Sequence, residues 1–146
     1  MEGGDTVALA IQLGASALLV VICTLVHGLG LVGIGKLLDL RDEKLEQREF
    51  DTGAVMLMCS MALCLFLLHM IEITIFALFY LLVGALDIFE DALAFSASAY
   101  ATLGQSTDTF PSDWALMGAI EALIGFLLIG WSTAFIFRNV SKLRED

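Results

Sequence analysis

Three long apolar segments dominate the chain. They cover residues 7–34, 55–86 and 114–137, and each contains no more than two strongly polar side chains. Each is longer than the roughly 20 residues that an α-helix needs to cross about 30 Å of hydrocarbon. The pattern therefore predicts three transmembrane helices. A hydrophobic content of 59% and a mean hydropathy of +0.89 agree with a protein whose solvent and principal partner is the lipid bilayer.

A fourth apolar segment, residues 92–103, is rich in Ser and Ala. At about 1.5 Å per residue it is too short to cross a membrane, so we expect a re-entrant or interfacial helix. Asp87 is expected to cap this helix, and Glu90 and Asp91 fall in its first turn, where acidic side chains favour the positive end of the helix dipole. The negative end would then point into the membrane, where an assembled ring of such ends favours a cation.

The distribution of charge predicts an orientation. All seven basic residues lie in the connection after the first span or after the last span. Because Lys and Arg near span ends are retained in the cytoplasm, the N-terminus and residues 87–113 are expected outside, and the C-terminus in the cytoplasm. The net charge is −10, and the outer segments carry acidic residues only, among them Asp108 and Asp113. Such an acidic mouth concentrates cations and repels anions and nucleic acid.

The order of features after the second span is distinctive. An Ala- and Ser-rich helix leads into Thr102-Leu103-Gly104, and Pro111 and Trp114 then open the last span. Over about residues 68–137 this order resembles the two-transmembrane pore module of potassium channels and their tetrameric cation-channel relatives. The string EALIGFLLIGWSTAFIF is also similar to small bacterial proteins with a pore-loop signature and an extra N-terminal helix, which implies a bacterial inner membrane.

The resemblance implies an all-α integral membrane fold with three transmembrane helices, a re-entrant pore helix and a filter-like loop, assembled as a homotetramer. Residues 1–50 would form the extra N-terminal helix and a charged cytoplasmic connection. The spacing of apolar residues in this connection favours a helical hairpin, and a solvated charged loop is the alternative. Residues 51–146 would form the pore module. Its parts are an outer helix 52–86, a pore helix 88–101, a filter-like loop 102–108 and an inner helix 113–138.

The resemblance further implies that five loop residues line the ion pathway. They are Thr102, Leu103, Gly104, Gln105 and Ser106. Family filters read Thr-x-Gly-Tyr-Gly-Asp, so Gln105 replaces the aromatic residue and Ser106 the second glycine. A non-glycine residue at positive φ costs on the order of 1–2 kcal/mol, which disfavours the family's outer carbonyl rings. We therefore expect monovalent cations to pass with weak potassium selectivity.

Two functions remain open at this point. A third, a membrane enzyme or metal carrier built on His27, His69 and Glu72, is disfavoured because the sequence has no further His or Cys cluster. The first is a cation channel without catalysis, cofactor or small-molecule substrate, in which four re-entrant loops surround one axis. A single loop would leave backbone groups without partners in hydrocarbon, so oligomerisation is required. The second is a pore-module relative that no longer conducts and serves as a structural or regulatory membrane subunit.

Glu121 lies inside the last span. An acidic residue near the middle of a membrane costs roughly 2.5–3.5 kcal/mol on insertion scales, so it needs a compensating partner. One interpretation is that it supports the filter by hydrogen bonding to Ser96 or Ser98 of the short helix. The alternative is a protonated carboxyl that makes an ordinary interhelical contact.

His69 and Glu72 are one turn apart on the second span, so their side chains can pair. The pair is either a pH-sensitive latch, because an imidazole ionises near neutral pH, or a structural hydrogen bond to the first helix. His27 could complete a metal site with them, since two histidines and a carboxylate bind transition metals. Counting from the cytoplasmic ends places His27 nearer that surface than His69, so we predict no metal site.

Gly125 and Gly130 lie in the last span. They are either an inner-helix hinge, as in many channels that the segment resembles, or positions where helices approach closely, as small residues allow in membranes.

Overall fold

The computed structural model describes residues 2–45, 50–104 and 110–142, with side chains over 9–38, 55–104 and 110–141. All regular structure in these ranges is helical, so the all-α prediction is confirmed. The helices are α1 (Glu2–Leu45), α2 (Phe50–Leu82), α3 (Phe89–Tyr100) and α4 (Ala115–Lys142), and the 3-10 turn Ser112–Trp114 leads into α4.

Three of the described helices are long and apolar enough to cross a membrane. The candidate spans are Leu9–Leu38, Val55–Leu82 and Ser112–Ser141. Many of their apolar side chains face outward, as shown by Leu29 at 73% exposed and Phe126 at 64%. Outward apolar side chains on every long helix suit contact with lipid and would be unfavourable in water.

The helix α2 ends earlier than the predicted residue 86 because Gly84 adopts a left-handed conformation with φ of 68°. The N–H of Gly84 donates to the carbonyl of Leu81 at 3.1 Å, and the N–H of Ala85 donates to that of Tyr80 at 2.9 Å. This pair of bonds is a Schellman motif, in which glycine is the residue best suited to the left-handed position.

The start of α3 differs from the prediction at one residue. Ile88 is the N-cap, with an extended backbone and no capping side-chain bond, so the expectation that Asp87 caps the helix is wrong. Asp87 lies one residue too early, because a capping side chain must belong to the residue directly before the first helical turn. Glu90 and Asp91 do occupy the first turn, as predicted.

The charged connection is largely helical. The helix α1 continues past its apolar part to Leu45, and α2 begins at Phe50, as a helical hairpin requires. Residues 46–49 lie outside the described ranges. With 44 residues, α1 is about 66 Å long at 1.5 Å per residue, so it extends well beyond the thickness of a bilayer.

The short helix α3 lies between α2 and α4, and α1 packs against α2 and α4. One hydrophobic core forms where α3 meets its neighbours, and its most buried large side chains are Phe76, Tyr80, Tyr100, Met117 and Leu128. A second core joins α1 to the first half of α2, around Leu31, Leu57, Met61, Leu65 and Leu68.

Close packing of α4 on α3 depends on Gly125. A Cβ atom at this position would overlap the backbone of Tyr100 at the end of α3, whereas one at Gly130 would have no neighbour within 4 Å. Of the two interpretations of these glycines, close helix approach is present at Gly125. The last turn of α3 is thereby held directly against α4.

Candidate functional site

Two groups of buried polar side chains join the helices. The Glu121 cluster consists of Tyr80, Ser96 and Glu121, from α2, α3 and α4. The histidine cluster draws on all four helices and consists of His27, His69, Glu72, Tyr100 and Ser132. Polar side chains buried in apolar surroundings are costly unless they find partners, so these contacts restrict how the helices can pack.

Within the Glu121 cluster, the fully buried carboxyl accepts a hydrogen bond from the Tyr80 hydroxyl at 2.7 Å. Its other oxygen is hydrogen bonded to the Ser96 hydroxyl, which also lies 2.8 Å from the carbonyl oxygen of Ile73. The contact predicted between Glu121 and Ser96 is therefore present. It links α3 to both neighbouring spans near the middle of the short helix.

Ser98 has a different partner from the one considered for Glu121. Its hydroxyl donates to the carbonyl oxygen of Gly104 at 2.7 Å, and so it holds the segment that follows α3. This segment, residues 101–104, is hereafter the α3 turn. All four of its residues are exposed, and Leu103 is 80% exposed.

The α3 turn is a second Schellman motif. The N–H of Thr102 donates to the carbonyl of Ala99 at 2.9 Å, and the N–H of Leu103 donates to that of Ser98 at 3.0 Å. Thr102 takes the left-handed position with φ of 56°, and Gly104 has φ of 83°. Thr102 thus caps the carboxyl end of α3. Gln105, Ser106 and Asp108 of the predicted filter and mouth lie outside the described residues, while Asp113 is exposed in the 3-10 turn.

Beside the α3 turn is a groove of about 500 Å³. Thr102 and Gly104 line one side, and small residues of the first part of α4 line the other, namely Ala115, Gly118, Ala119 and Ala122. Small side chains allow another helix or loop to approach a helix backbone closely in a membrane.

The histidine cluster is built around Glu72, which is fully buried. One carboxylate oxygen lies 2.9 Å from Nδ1 of His27, and the other lies 3.2 Å from Nδ1 of His69. The Tyr100 hydroxyl donates to the second oxygen and also lies 2.8 Å from Nδ1 of His69. The carboxylate of Glu72 therefore has hydrogen-bond partners on α1, α2 and α3.

The opposite edges of the two imidazole rings converge on Ser132 of α4. Its hydroxyl oxygen lies 3.0 Å from Nε2 of His69 and 3.4 Å from Nε2 of His27. The ring centroids of the two histidines are 5.4 Å apart, and the Trp131 ring lies at the same distance from that of His27. Both nitrogens of each histidine thus have a polar neighbour.

The predicted pairing of His69 with Glu72 is present, and so is the alternative hydrogen bond to the first helix, which His27 supplies. The expectation that His27 lies at a different depth from His69 is wrong. His27 lies 18 residues before the end of α1 at Leu45, and His69 lies 19 residues after the start of α2 at Phe50, because α1 remains helical up to Leu45. His27, His69 and Glu72 therefore come together in space.

Sequence reasoning missed Tyr80, Tyr100 and Ser132. The tyrosines carried a usable signal, because the chain has only two and both lie in apolar helices. A buried phenol normally finds a hydrogen-bond partner, and the two intramembrane glutamates were the obvious acceptors. Each tyrosine in fact binds one of them. Ser132 gave no comparable signal among the other small residues of α4.

The three long apolar helices and the polar contacts between them define a helical integral membrane protein. No protein-family model, curated protein or solved structure matches the chain. Its function is therefore inferred from the geometry of the short helix and the two buried clusters.

Proposed function

We propose that the chain is one subunit of an oligomeric cation channel, with α3 and the α3 turn as its re-entrant pore loop. The proposed channel is a homotetramer that conducts monovalent cations with weak potassium selectivity. The observation that carries this proposal is the position of α3, a short helix held between two candidate spans with its carboxyl-terminal turn exposed.

The length and packing of α3 support a re-entrant segment. Its 12 residues are about 18 Å long at 1.5 Å per residue, too short to cross a bilayer. Ala92, Ser96 and Ala99 form its buried side against the neighbouring helices. A short helix bonded in its middle to both flanking spans has the arrangement that a pore helix needs.

The electrostatics of α3 favour a cation. Acidic residues occupy its first turn, and no basic residue lies in its last turn. The carboxyl end carries the negative end of the helix dipole, and the exposed residues of the α3 turn lie at that end. Several such ends around one axis would attract a cation and repel an anion.

The exposure of the α3 turn supports the proposed oligomer. A backbone segment at membrane depth needs protein or water as a partner, because lipid offers no hydrogen bonds. The groove beside the turn, lined by small residues of α4, suits occupation by a neighbouring copy. The fourfold symmetry comes from the resemblance to tetrameric channels.

One observation favours a second function. Thr102 and Leu103 form the Schellman cap of α3. In a conducting filter, by contrast, the backbone is extended and its carbonyl groups line the pore in a row. A subunit that keeps this cap in the assembled state would be a non-conducting structural or regulatory membrane protein. The capped turn is the feature that a conduction test must address.

The test is ion flux from liposomes that contain the purified protein, with potassium, sodium, caesium and chloride measured in turn. We expect flux of all three cations and none of chloride. Ser98→Ala, which frees the Gly104 carbonyl, should alter cation flux. The matched control is Thr133→Ala, whose hydroxyl donates only to its own helix, at the Ile129 carbonyl. If the assembled, folded protein passes no cation, the channel proposal is wrong and the non-conducting regulatory function is favoured.

A further inference from the structure

We propose that the histidine cluster is a binding site for a divalent first-row transition metal ion, with His27, His69 and Glu72 as ligands. This inference is independent of ion conduction. It concerns a site that joins α1 to α2 and contacts Tyr100, the residue directly before the α3 turn.

The ligand atoms are already close enough for a shared ion. One ligand atom from each of the three residues lies within 4.8 Å of the other two. In a tetrahedral site with metal bonds of about 2.0–2.1 Å, neighbouring ligand atoms lie about 3.3 Å apart. The two distances from histidine Nδ1 to Glu72, 2.9 and 3.2 Å, are near that value. Small side-chain shifts would therefore admit an ion.

The donor set selects the class of metal. Two imidazoles and one carboxylate suit zinc, copper, cobalt, nickel and iron, whereas magnesium and calcium prefer oxygen ligands alone. The oxygen of the Tyr100 hydroxyl, 2.8 Å from Nδ1 of His69, is close enough to serve as a fourth ligand. The side chain of His69 remains 17% exposed, whereas those of His27 and Glu72 are fully buried.

The hydrogen bonds around Ser132 favour an ion over a metal-free neutral cluster. If both neutral imidazoles donate from Nδ1 to Glu72, both Nε2 atoms are acceptors, and the single Ser132 proton can satisfy only one of them. A metal on both Nδ1 atoms moves the ring protons to Nε2. Both rings can then donate to Ser132, whose oxygen has two lone pairs.

In the proposed site, Ser132 would orient the two histidine ligands by accepting hydrogen bonds from their Nε2 atoms. Histidine ligands commonly donate their second ring N–H to an oxygen, and loss of that oxygen costs about 10–100-fold in metal affinity. The ion would fix α1 to α2, with α4 in contact through Ser132. In this way a metal would attach the N-terminal helix to the rest of the subunit.

The test uses the full chain in detergent, stripped with a chelator and titrated with CoCl₂. We expect one Co²⁺ per chain, visible absorption bands of a four- or five-coordinate ion, displacement by Zn²⁺, and a higher melting temperature with either metal. His27→Gln and His69→Gln should each weaken Co²⁺ binding at least about tenfold, since each removes a ligand but keeps a polar side chain. Ser132→Ala should weaken it by about tenfold.

The matched control is Glu121→Gln, which changes the other buried carboxyl and touches neither histidine. It should bind Co²⁺ as the wild type does. Wild-type protein that binds neither ion stoichiometrically would overturn the proposal, and would leave a hydrogen-bonded cluster of histidine and glutamate in its place. Binding that survives both histidine substitutions would also overturn it. Failure to conduct ions has no bearing on either result.

Discussion

The two glutamates in the candidate spans have different kinds of partner. Glu72 faces the nitrogens of two histidines and one hydroxyl, whereas Glu121 has two hydroxyls and no nitrogen partner among the described side chains. The Ser96 hydroxyl has one proton and two acceptors, Glu121 and the Ile73 carbonyl. A neutral Glu121 resolves this conflict, because the carboxyl can then supply the proton between itself and Ser96.

If Glu121 is neutral, replacing its carboxyl group with an amide should have little effect. Glu121→Gln should change the free energy of unfolding by no more than about 1 kcal/mol, because the amide can accept from Tyr80 and donate to Ser96. Glu121→Leu should cost about 2–3 kcal/mol, since it leaves the buried Tyr80 hydroxyl without a partner. Thermal or denaturant unfolding in detergent measures both. Equal losses in the two variants would show that a negative charge at Glu121 is required.

Thr102 is held in a backbone conformation that a β-branched residue disfavours. The equivalent position at the end of α2 is Gly84, so the Schellman motif occurs once with glycine and once with threonine in the left-handed position. Thr102→Gly should stabilise the protein by roughly 1 kcal/mol, because only glycine adopts this region without steric cost. The comparison is Thr102→Ala, which removes the hydroxyl but keeps a Cβ atom. If melting temperatures rise equally in both variants, the side chain and not the backbone is the source of the strain.

At the scale of the elements, the contact between α3 and α4 depends on one missing side chain. Gly125→Ala should destabilise the protein by about 2 kcal/mol or more, since a Cβ there overlaps the Tyr100 backbone, which side-chain rotation cannot relieve. Gly130→Ala adds the same methyl group where no neighbour lies within 4 Å, and should be neutral or stabilising by up to about 1 kcal/mol. Unfolding midpoints compare them directly. Similar losses at both positions would indicate a hinge that needs two flexible glycines.

The helices were predictable because length and hydropathy determine a membrane span locally. The contact between Glu121 and Ser96 was also predictable, since a buried acid needs a polar partner and few were within reach. Within the histidine cluster, the pairing of His69 with Glu72 and a hydrogen bond to the first helix were predictable. The meeting of all five residues was not, because they come from four helices and their contacts depend on how each helix rotates about its axis. The cap at Thr102 was missed because the left-handed position of this motif normally carries glycine.

At the scale of the whole molecule, α1 is hydrogen bonded to buried residues of the other helices. His27 contacts Glu72 of α2 and approaches Ser132 of α4, and all three are buried. The histidine cluster also includes Tyr100, the last residue of α3, directly before the exposed turn. A change in the cluster can therefore reach the proposed pore loop through a single residue. In the proposed channel, these contacts would link α1 to the segment that contacts ions.

The proposed channel should discriminate weakly between potassium and sodium. Selectivity in potassium channels depends on several rings of carbonyl groups whose number and field strength the backbone sets. Here Gly104 provides one position with positive φ, while Gln105 and Ser106 replace the aromatic residue and the second glycine of the family pattern. Fewer rings let ions pass partly hydrated, so that acidic residues of the mouth select by charge more than by size.

The measurement is a bi-ionic reversal potential on the wild type and on a variant that combines Gln105→Tyr with Ser106→Gly. We expect a small potassium preference in the wild type and a larger one in the double variant, because tyrosine and glycine restore the family's packing and backbone freedom. Gln105→Tyr alone serves as the control, since it leaves the backbone restriction at Ser106 in place. Strong exclusion of sodium by the wild type would contradict the argument from the missing glycine. If the wild type and the variants all fold and form tetramers but pass no cations, the regulatory subunit is favoured. The α3 turn would then keep its capped geometry in the assembled protein.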